Sequence, residues 1–226
     1  MSVDPLVLGA GPLADAVLDH LRRDGRAARR VDAAPIDHRG PLVVAAAPPT
    51  GVAIVGHPVL FVGPGQRAHV AAHDGAIGVG TMLASARFRD ALAARLHVDV
   101  HRVQAMFAGD PDGPLVPLWT AATVEGVPVH AYEPRGKRPL TVRERSMLSV
   151  GAMMGESDAA DEARAAARVV GAILDDEGVV LPVCHRVAPF GDAVMAFPAR
   201  VGATIEPADV ALNDAERAAL STLGAP

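Results

Sequence analysis

The chain has 226 residues, 50% of them hydrophobic and 21% charged, enough for one compact domain or two small ones and unlike a disordered, collagenous or disulfide-stapled chain. A net charge of −5 leaves no basic surplus for a nucleic-acid surface, and the single cysteine, Cys184, excludes an intramolecular disulfide and any multi-cysteine zinc site. No basic segment precedes an apolar stretch at the N-terminus and no charge-free apolar run nears about twenty residues, so a soluble cytoplasmic protein without membrane contact is expected. Lys137 is the only lysine, which leaves Schiff-base chemistry one candidate, in the loop-like run Pro134 to Pro139; the arginine excess itself reads as codon bias.

Pro5 to Leu8 reads as a short apolar strand, followed by Gly9-Ala10-Gly11-Pro12-Leu13-Ala14 and a helix to about Arg23 with Leu13, Val17, Leu18 and Leu21 on one face. Gly25 ends that helix, and Ala27 to Val31 is a second strand closing on Asp32. A G-x-G-x-x-A turn between a strand and a helix, with an acid 23 residues after the first glycine, is the fingerprint of a dinucleotide-binding βαβ unit. Glycine is needed where the turn is tight and where backbone approaches a pyrophosphate, while the helix N-terminus offers N–H groups and positive dipole to the anion. Gly9, Gly11 and Leu13 are therefore the expected phosphate contacts and Asp32 the ribose acceptor, for NAD or NADP; Arg29 and Arg30 beside Asp32 leave that choice open. Pro12 has no N–H to give, although it suits a first helical turn. The alternative is that the glycines serve helix–strand packing alone.

Further strands are expected at Leu42–Ala47, Val52–Val55 and Val59–Val62, with no room for a full crossover helix between Ala47 and Val59. Ile77 to Thr81 leads into a helix from about Leu83 to Leu96, marked by Phe88, Leu92 and Leu96. Beyond it the pattern changes. A strand at Val103–Ala108, a turn at Asp110-Pro111-Asp112-Gly113-Pro114, and two short apolar segments around Trp119 and Gly126 precede a helix-rich stretch from Thr141 to Leu174. Gly178–Val183 and Ala193–Phe197 read as antiparallel strands, and Asn213 with Glu216 caps a last helix.

The run Ile77-Gly78-Val79-Gly80-Thr81-Met82-Leu83-Ala84-Ser85-Ala86-Arg87-Phe88-Arg89 resembles the "GTxLDSARFR" segment of the L-lactate/malate dehydrogenase family. Gly109 to Trp119 is similar to the family's "GEHGDSxVPxW", and Ile173 to Val183 and Leu212 to Arg217 continue the likeness in the family's order. The resemblance implies an α/β fold: a Rossmann-like parallel sheet, trimmed in its middle, over residues 1–82, then an α+β C-terminal domain over 83–226. It implies a dinucleotide, a small carboxylate ligand and a homodimer or homotetramer. Family members transfer hydride between a nicotinamide and a 2-hydroxy or 2-oxo acid. A histidine–aspartate pair handles the proton, one arginine clamps the carboxylate, and a second arginine on a mobile loop acts with an asparagine on the carbonyl.

At those positions this chain has Arg87 for the clamp, Ala84 for the aspartate, Pro111 for the histidine and Gly63 for the asparagine. The stretch from Ala47 to Val59 is too short for the mobile loop. The resemblance thus implies a shortened, catalytically degenerate member. Candidate substitutes are Asp110 and Asp112, as a paired carboxylate site or as turn chemistry, and Glu156, with Glu144 and Asp158 in the same pocket-lining region. His69 and His73 share a helix face, suited to a metal or proton relay or to a solvated surface; no metal is expected. His101 falls on the far side, adjacent Cys184 and His185 point to opposite faces of a strand, and Met147, Met153 and Met154 read as core. Three functions stay open: a repurposed carboxylate-binding enzyme of specialised metabolism, an NAD(P)-dependent oxidoreductase with a substituted acid/base, and a non-catalytic partner subunit.

Overall fold

The computed structural model describes residues 4–32, 40–45, 58–133 and 138–224; the expected strand Val52–Val55, the end of Leu42–Ala47 and Lys137 lie outside them. Among the described residues, five short parallel strands open the chain: β1 (Leu6–Leu8), β2 (Arg29–Val31), β3 (Leu42–Ala45), β4 (Val59–Val62) and β5 (Ile77–Gly78). Helix α1 (Pro12–Arg23) follows β1, α2 (Gln66–Ala72) follows β4, and α3 (Met82–Leu96) follows β5. The strands lie in the order β2-β1-β3-β4-β5, with Leu6 beside both Arg29 and Leu42, and Leu60 beside Ile77. Strand order therefore reverses between β1 and β3, and in an open α/β sheet ligands gather at such a switch point.

The remaining strands are β6 (Val103–Gln104), β7 (Phe107–Gly109), β8 (Leu115–Pro117), β9 (Thr123–Val124), β10 (Val127–Pro128), β11 (Val179–Val187), β12 (Ala193–Val201) and β13 (Ile205–Pro207). Interleaved with them are α4 (Val142–Met153), α5 (Ala159–Leu174) and α6 (Asp214–Gly224). β11 joins the parallel strands antiparallel through Cys184 and Gly78, and β12, β7, β8 and β13 extend one ten-stranded sheet. The predicted strand Val103–Ala108 is two strands of different sheets: Val103 pairs with Val124 in a three-stranded sheet, whereas Phe107 pairs with Pro117 in the large one. Ala105 and Met106 make the transition.

Alternation of side chains along the parallel strands divides the core. Val7, Val43, Leu60 and Ile77 face a layer made by α1 and α5, with Val17, Leu21, Ala163, Ala166 and Val170. Leu6, Leu8, Leu42, Val44 and Phe61 face the other side, where Val70 of α2 and Cys184 pack. Every residue of β1, β3 and β4 is buried, as strands covered on both faces require. The helix-rich stretch is interrupted at residues 154–158. The side chain of Asp158 accepts the Asp161 N–H at 2.8 Å and restarts the chain as α5, while α4 begins with a reciprocal cap between Thr141 and Glu144. Met153 packs inward, but Met147 of α4 and Met154 just past its end, both expected in the core, are 65% and 78% exposed. No helix among the described residues is long and apolar enough to cross a membrane.

Gly9 carries φ +130°, and a Cβ there would come within 2.5 Å of the Ala45 carbonyl oxygen on β3. Gly9→Ala is expected to destabilise the protein by about 2 kcal/mol through this collision and the disfavoured backbone, read as a lower urea midpoint.

Candidate functional site

The site is built around the first turns of α3. Gln66 is buried and accepts the Gly80 N–H at 2.8 Å, and the Thr81 hydroxyl donates to the Phe107 carbonyl at 2.7 Å. Ser85, one turn on, accepts the Phe107 N–H at 3.0 Å. These bonds set the rotation of α3, so that Gly80, Thr81, Leu83, Ala84 and Arg87 present one face to a cleft of about 440 Å³. Opposite them stand Gly63, Pro64, Pro111 and Asp112; Met153, Gly155, Ser157 and Glu162 close a third side.

Arg87 is half-buried, and its Nη2 donates to the main-chain carbonyl of Glu156 at 2.7 Å. The strap between α4 and α5 lies directly on this side chain: a Cβ on Gly155 would fall 2.6 Å from the Arg87 Cδ and 2.7 Å from its Nε. Glu156 thus meets Arg87 through its backbone, while the residue itself is exposed. Asp158 is occupied as the α5 cap. Glu144 is drawn away from Arg87 into ion pairs with Arg95 and Arg138, which together with the Thr141 cap hold its carboxyl well below the usual range.

The two turn aspartates part company. Asp110 pairs with Arg67 at 3.1 Å and accepts the Asp112 N–H at 3.0 Å, which braces the turn. Asp112 lines the cleft, and one of its oxygens accepts the Gly65 N–H at 3.0 Å. Glu162, in the first turn of α5, is the carboxylate that sequence reasoning did not single out. Its side chain is half-buried in the cleft wall, and burial, with the charge of Asp112 adding, raises its pKa. Among an alanine-rich run it reads as an ordinary acid in the first turn of a helix; only the packing of α5 across the sheet reveals its surroundings.

At the other end of the sheet, Gly11 precedes α1 with φ +89°, open space on its Cβ side and no side-chain cap on the helix. Pro12, Leu13 and Ala14 form the first turn, so the N–H groups of Leu13 and Ala14 face no capping side chain, and Asp32 follows β2 directly. Arg30 is paired with Asp15 of α1. An uncapped helix start, a glycine with room beside it and a nearby carboxylate fit the pyrophosphate and ribose of a dinucleotide.

The other sequence candidates lie elsewhere. His69 stacks on Phe61 with ring centroids 5.0 Å apart, and His73, just past α2, has its Nδ1 2.7 Å from the His69 carbonyl oxygen. No group of three or more metal-ligating side chains occurs among the described residues. His101 sits in an exposed 3-10 turn. Cys184 and His185 are both buried on β11 and point to opposite faces; burial pushes the Cys184 thiol up to about 12 and lowers the His185 pKa.

No family model matches the chain. Among curated proteins, the L-lactate dehydrogenases of Streptococcus equinus and Streptococcus agalactiae are 36% and 34% identical over 159 and 158 residues. Each alignment takes in 62% of this chain, which spans about half the length of these relatives (47% and 46%). Among solved structures, malate dehydrogenase from Plasmodium falciparum superposes with a TM-score of 0.77 at 14% identity, covering 98% of this chain and 95% of that one. The same enzyme in complex with NADH gives 0.77 at 15% identity (97% and 94% covered), and malate dehydrogenase from Salinibacter ruber 0.74 at 21% (97% and 93%).

Two outcomes test the surroundings given to Cys184 and Glu144, which lie outside the cleft. Cys184 is expected to resist a thiol reagent at pH 7 in the folded protein and to react fully in urea, as titration of the freed thiol would show. Glu144 has a folded pKa below its unfolded value, so its contribution is present above the ordinary glutamate range and disappears as pH falls through the folded pKa. Urea midpoints measured from pH 7 down to pH 3 are expected to fall less steeply for Glu144→Gln than for the parent.

Proposed function

We propose that the chain is a shortened member of the lactate/malate dehydrogenase family, and that it binds an NAD-type dinucleotide and a small carboxylate but lacks the histidine–aspartate relay for exchanging a 2-hydroxy with a 2-oxo acid. In this reading it is a cytoplasmic protein of specialised metabolism, redirected to a different reaction on a carboxylate ligand. Residues 1–82 supply the dinucleotide site: Gly9, Gly11 and Leu13 hold the pyrophosphate at the start of α1, and Asp32 accepts the ribose diol. When bound, the dinucleotide supplies a hydride donor or acceptor. Residues 83–226 supply the carboxylate site, in which the Arg87 fork takes the ligand's carboxylate and the strap at 154–158 shields it from water.

The observation that carries this reading is the wall of the cleft around Arg87. Ala84 and Pro111 stand there, and the titratable groups beside them are the carboxylates of Asp112 and Glu162, with no imidazole among the described lining residues. A general acid–base group is worth about 10²–10⁴-fold in rate, so a hydride-transfer site without one loses most of its advantage on 2-oxo acids. A second reading, hydride transfer with a carboxylate in the imidazole's role (Asp110, Asp112 or Glu156), is favoured by Asp112, which lines the cleft. Assembly as a homodimer or homotetramer is supported by exposed apolar side chains along α4 and at its end, where Met147, Val150 and the capping Met154 are all more than half exposed.

Titration of the purified protein with NADH and NADPH, followed by nicotinamide fluorescence, is expected to show saturable binding with no turnover on a panel of 2-oxo acids. Arg87→Gln is expected to weaken carboxylate binding on the order of tenfold to a hundredfold while leaving dinucleotide binding intact. Absence of binding by either dinucleotide overturns the proposal. Turnover abolished by Asp112→Asn establishes the second reading instead.

A further inference from the structure

The charges around the cleft do not cancel one another. Arg87 is engaged by a carbonyl oxygen, which takes one of its N–H groups and none of its charge. On the facing walls are two carboxylates. Among the described residues, Asp112 accepts one backbone N–H and has no ion pair, and the carboxylate of Glu162 has neither a hydrogen bond nor an ion pair. The arginines that might have served Glu162 are committed elsewhere: Arg67 to Asp110, Arg164 to Asp161 and Arg168 to Glu177.

A carboxylate drawn half out of water without a cation is costly, and a second anion nearby raises the cost. Burial first, and then the charge of Asp112, raises the Glu162 pKa. A 2-hydroxy or 2-oxo acid would satisfy Arg87 and leave Glu162 as it stands. A simple amine would do the reverse. A ligand carrying both charges on neighbouring atoms answers the whole cleft, and about 440 Å³ admits one with a short side chain and several waters.

We infer that the cleft takes a small 2-amino acid as its zwitterion, the carboxylate on Arg87 and the ammonium between Glu162 and Asp112. The inference rests on the carboxylate site proposed above and names the class of ligand for it. Glu162 is a specificity residue in this arrangement: it discriminates an ammonium from a hydroxyl at the 2-position by charge, while Arg87 treats the two ligands alike.

Calorimetric titration of the full-length protein with matched pairs (L-alanine and L-lactate, L-serine and L-glycerate, L-aspartate and L-malate), with ethylamine as the amine control, tests it. Each amino acid is expected to bind on the order of tenfold more tightly than its hydroxy partner, and ethylamine weakly or not at all. Glu162→Gln is expected to erase the preference by weakening the amino acids alone, and Arg87→Gln to weaken both members of each pair. Should Glu162→Gln fail to fold by circular dichroism, Asp112→Asn at the exposed rim makes the same comparison. Hydroxy acids binding as well as amino acids, or a preference indifferent to both carboxylate variants, overturns the inference. Hydroxy-acid binding that depends on Arg87 without any amino-acid binding overturns it while leaving the carboxylate site standing; no binding of either class removes both.

Discussion

The hydroxyl of Thr81, donating to the Phe107 carbonyl at 2.7 Å, is the bond on which the rest of the site hangs. It ties the first residue before α3 to the strand that delivers the Asp110–Pro114 turn, and the Ser85–Phe107 bond repeats the tie one turn along. Two walls of the cleft are thereby set in register before any residue with chemistry is considered. Gln66, buried and bonded to Gly80, adds the third link, from α2. The two bonds to Phe107 are buried, where an unmade partner costs far more than a made bond contributes. The rotation of α3, and with it the placement of Ala84 and Arg87, follows from these bonds to Phe107 and Gln66.

Given that frame, the character of the cleft is a matter of which groups were left on its walls. Proline at 111 and alanine at 84 can neither exchange nor hold a proton, so chemistry that depends on an imidazole has no seat there. What persists is an arginine covered by a backbone strap, with carboxylates opposite. Such a site recognises charge arrangement before shape, because ion–ion terms in a partly dry cleft exceed the differences that a methyl group makes.

Much of this was legible in the residues. The spacing of Phe88, Leu92 and Leu96 gave α3; the Asn213–Glu216 pair gave the last cap, seen here as reciprocal bonds of 2.9 and 3.0 Å; and the β11–β12 pairing followed from two apolar runs around a turn. The fingerprint turn is present with the backbone its glycines imply. Less was legible where a residue's role depends on distant segments. Glu144 looked available to Arg87 until Arg95 and Arg138 claimed it, and Met147 looked like core until α4 turned it outward. Gly155 drew no notice within the helix-rich stretch, yet its missing side chain is what lets the strap rest on Arg87. Periodicity reports neighbours along an element, whereas the partners of Glu144 and Gly155 and the exposure of Met147 depend on how elements pack against one another.

The junction at Gly78 and Cys184 has a mechanical meaning of its own. Because β5 and β11 are hydrogen-bonded neighbours, the parallel and antiparallel halves share a single pleated surface rather than meeting at a pivot. A frame of that kind does not swing shut around a guest in the way two lobes do about a hinge. Accommodation of anything entering beside Arg87 then falls to side-chain rotamers and the five residues between α4 and α5, so the aperture is governed by stature and conformation of individual groups.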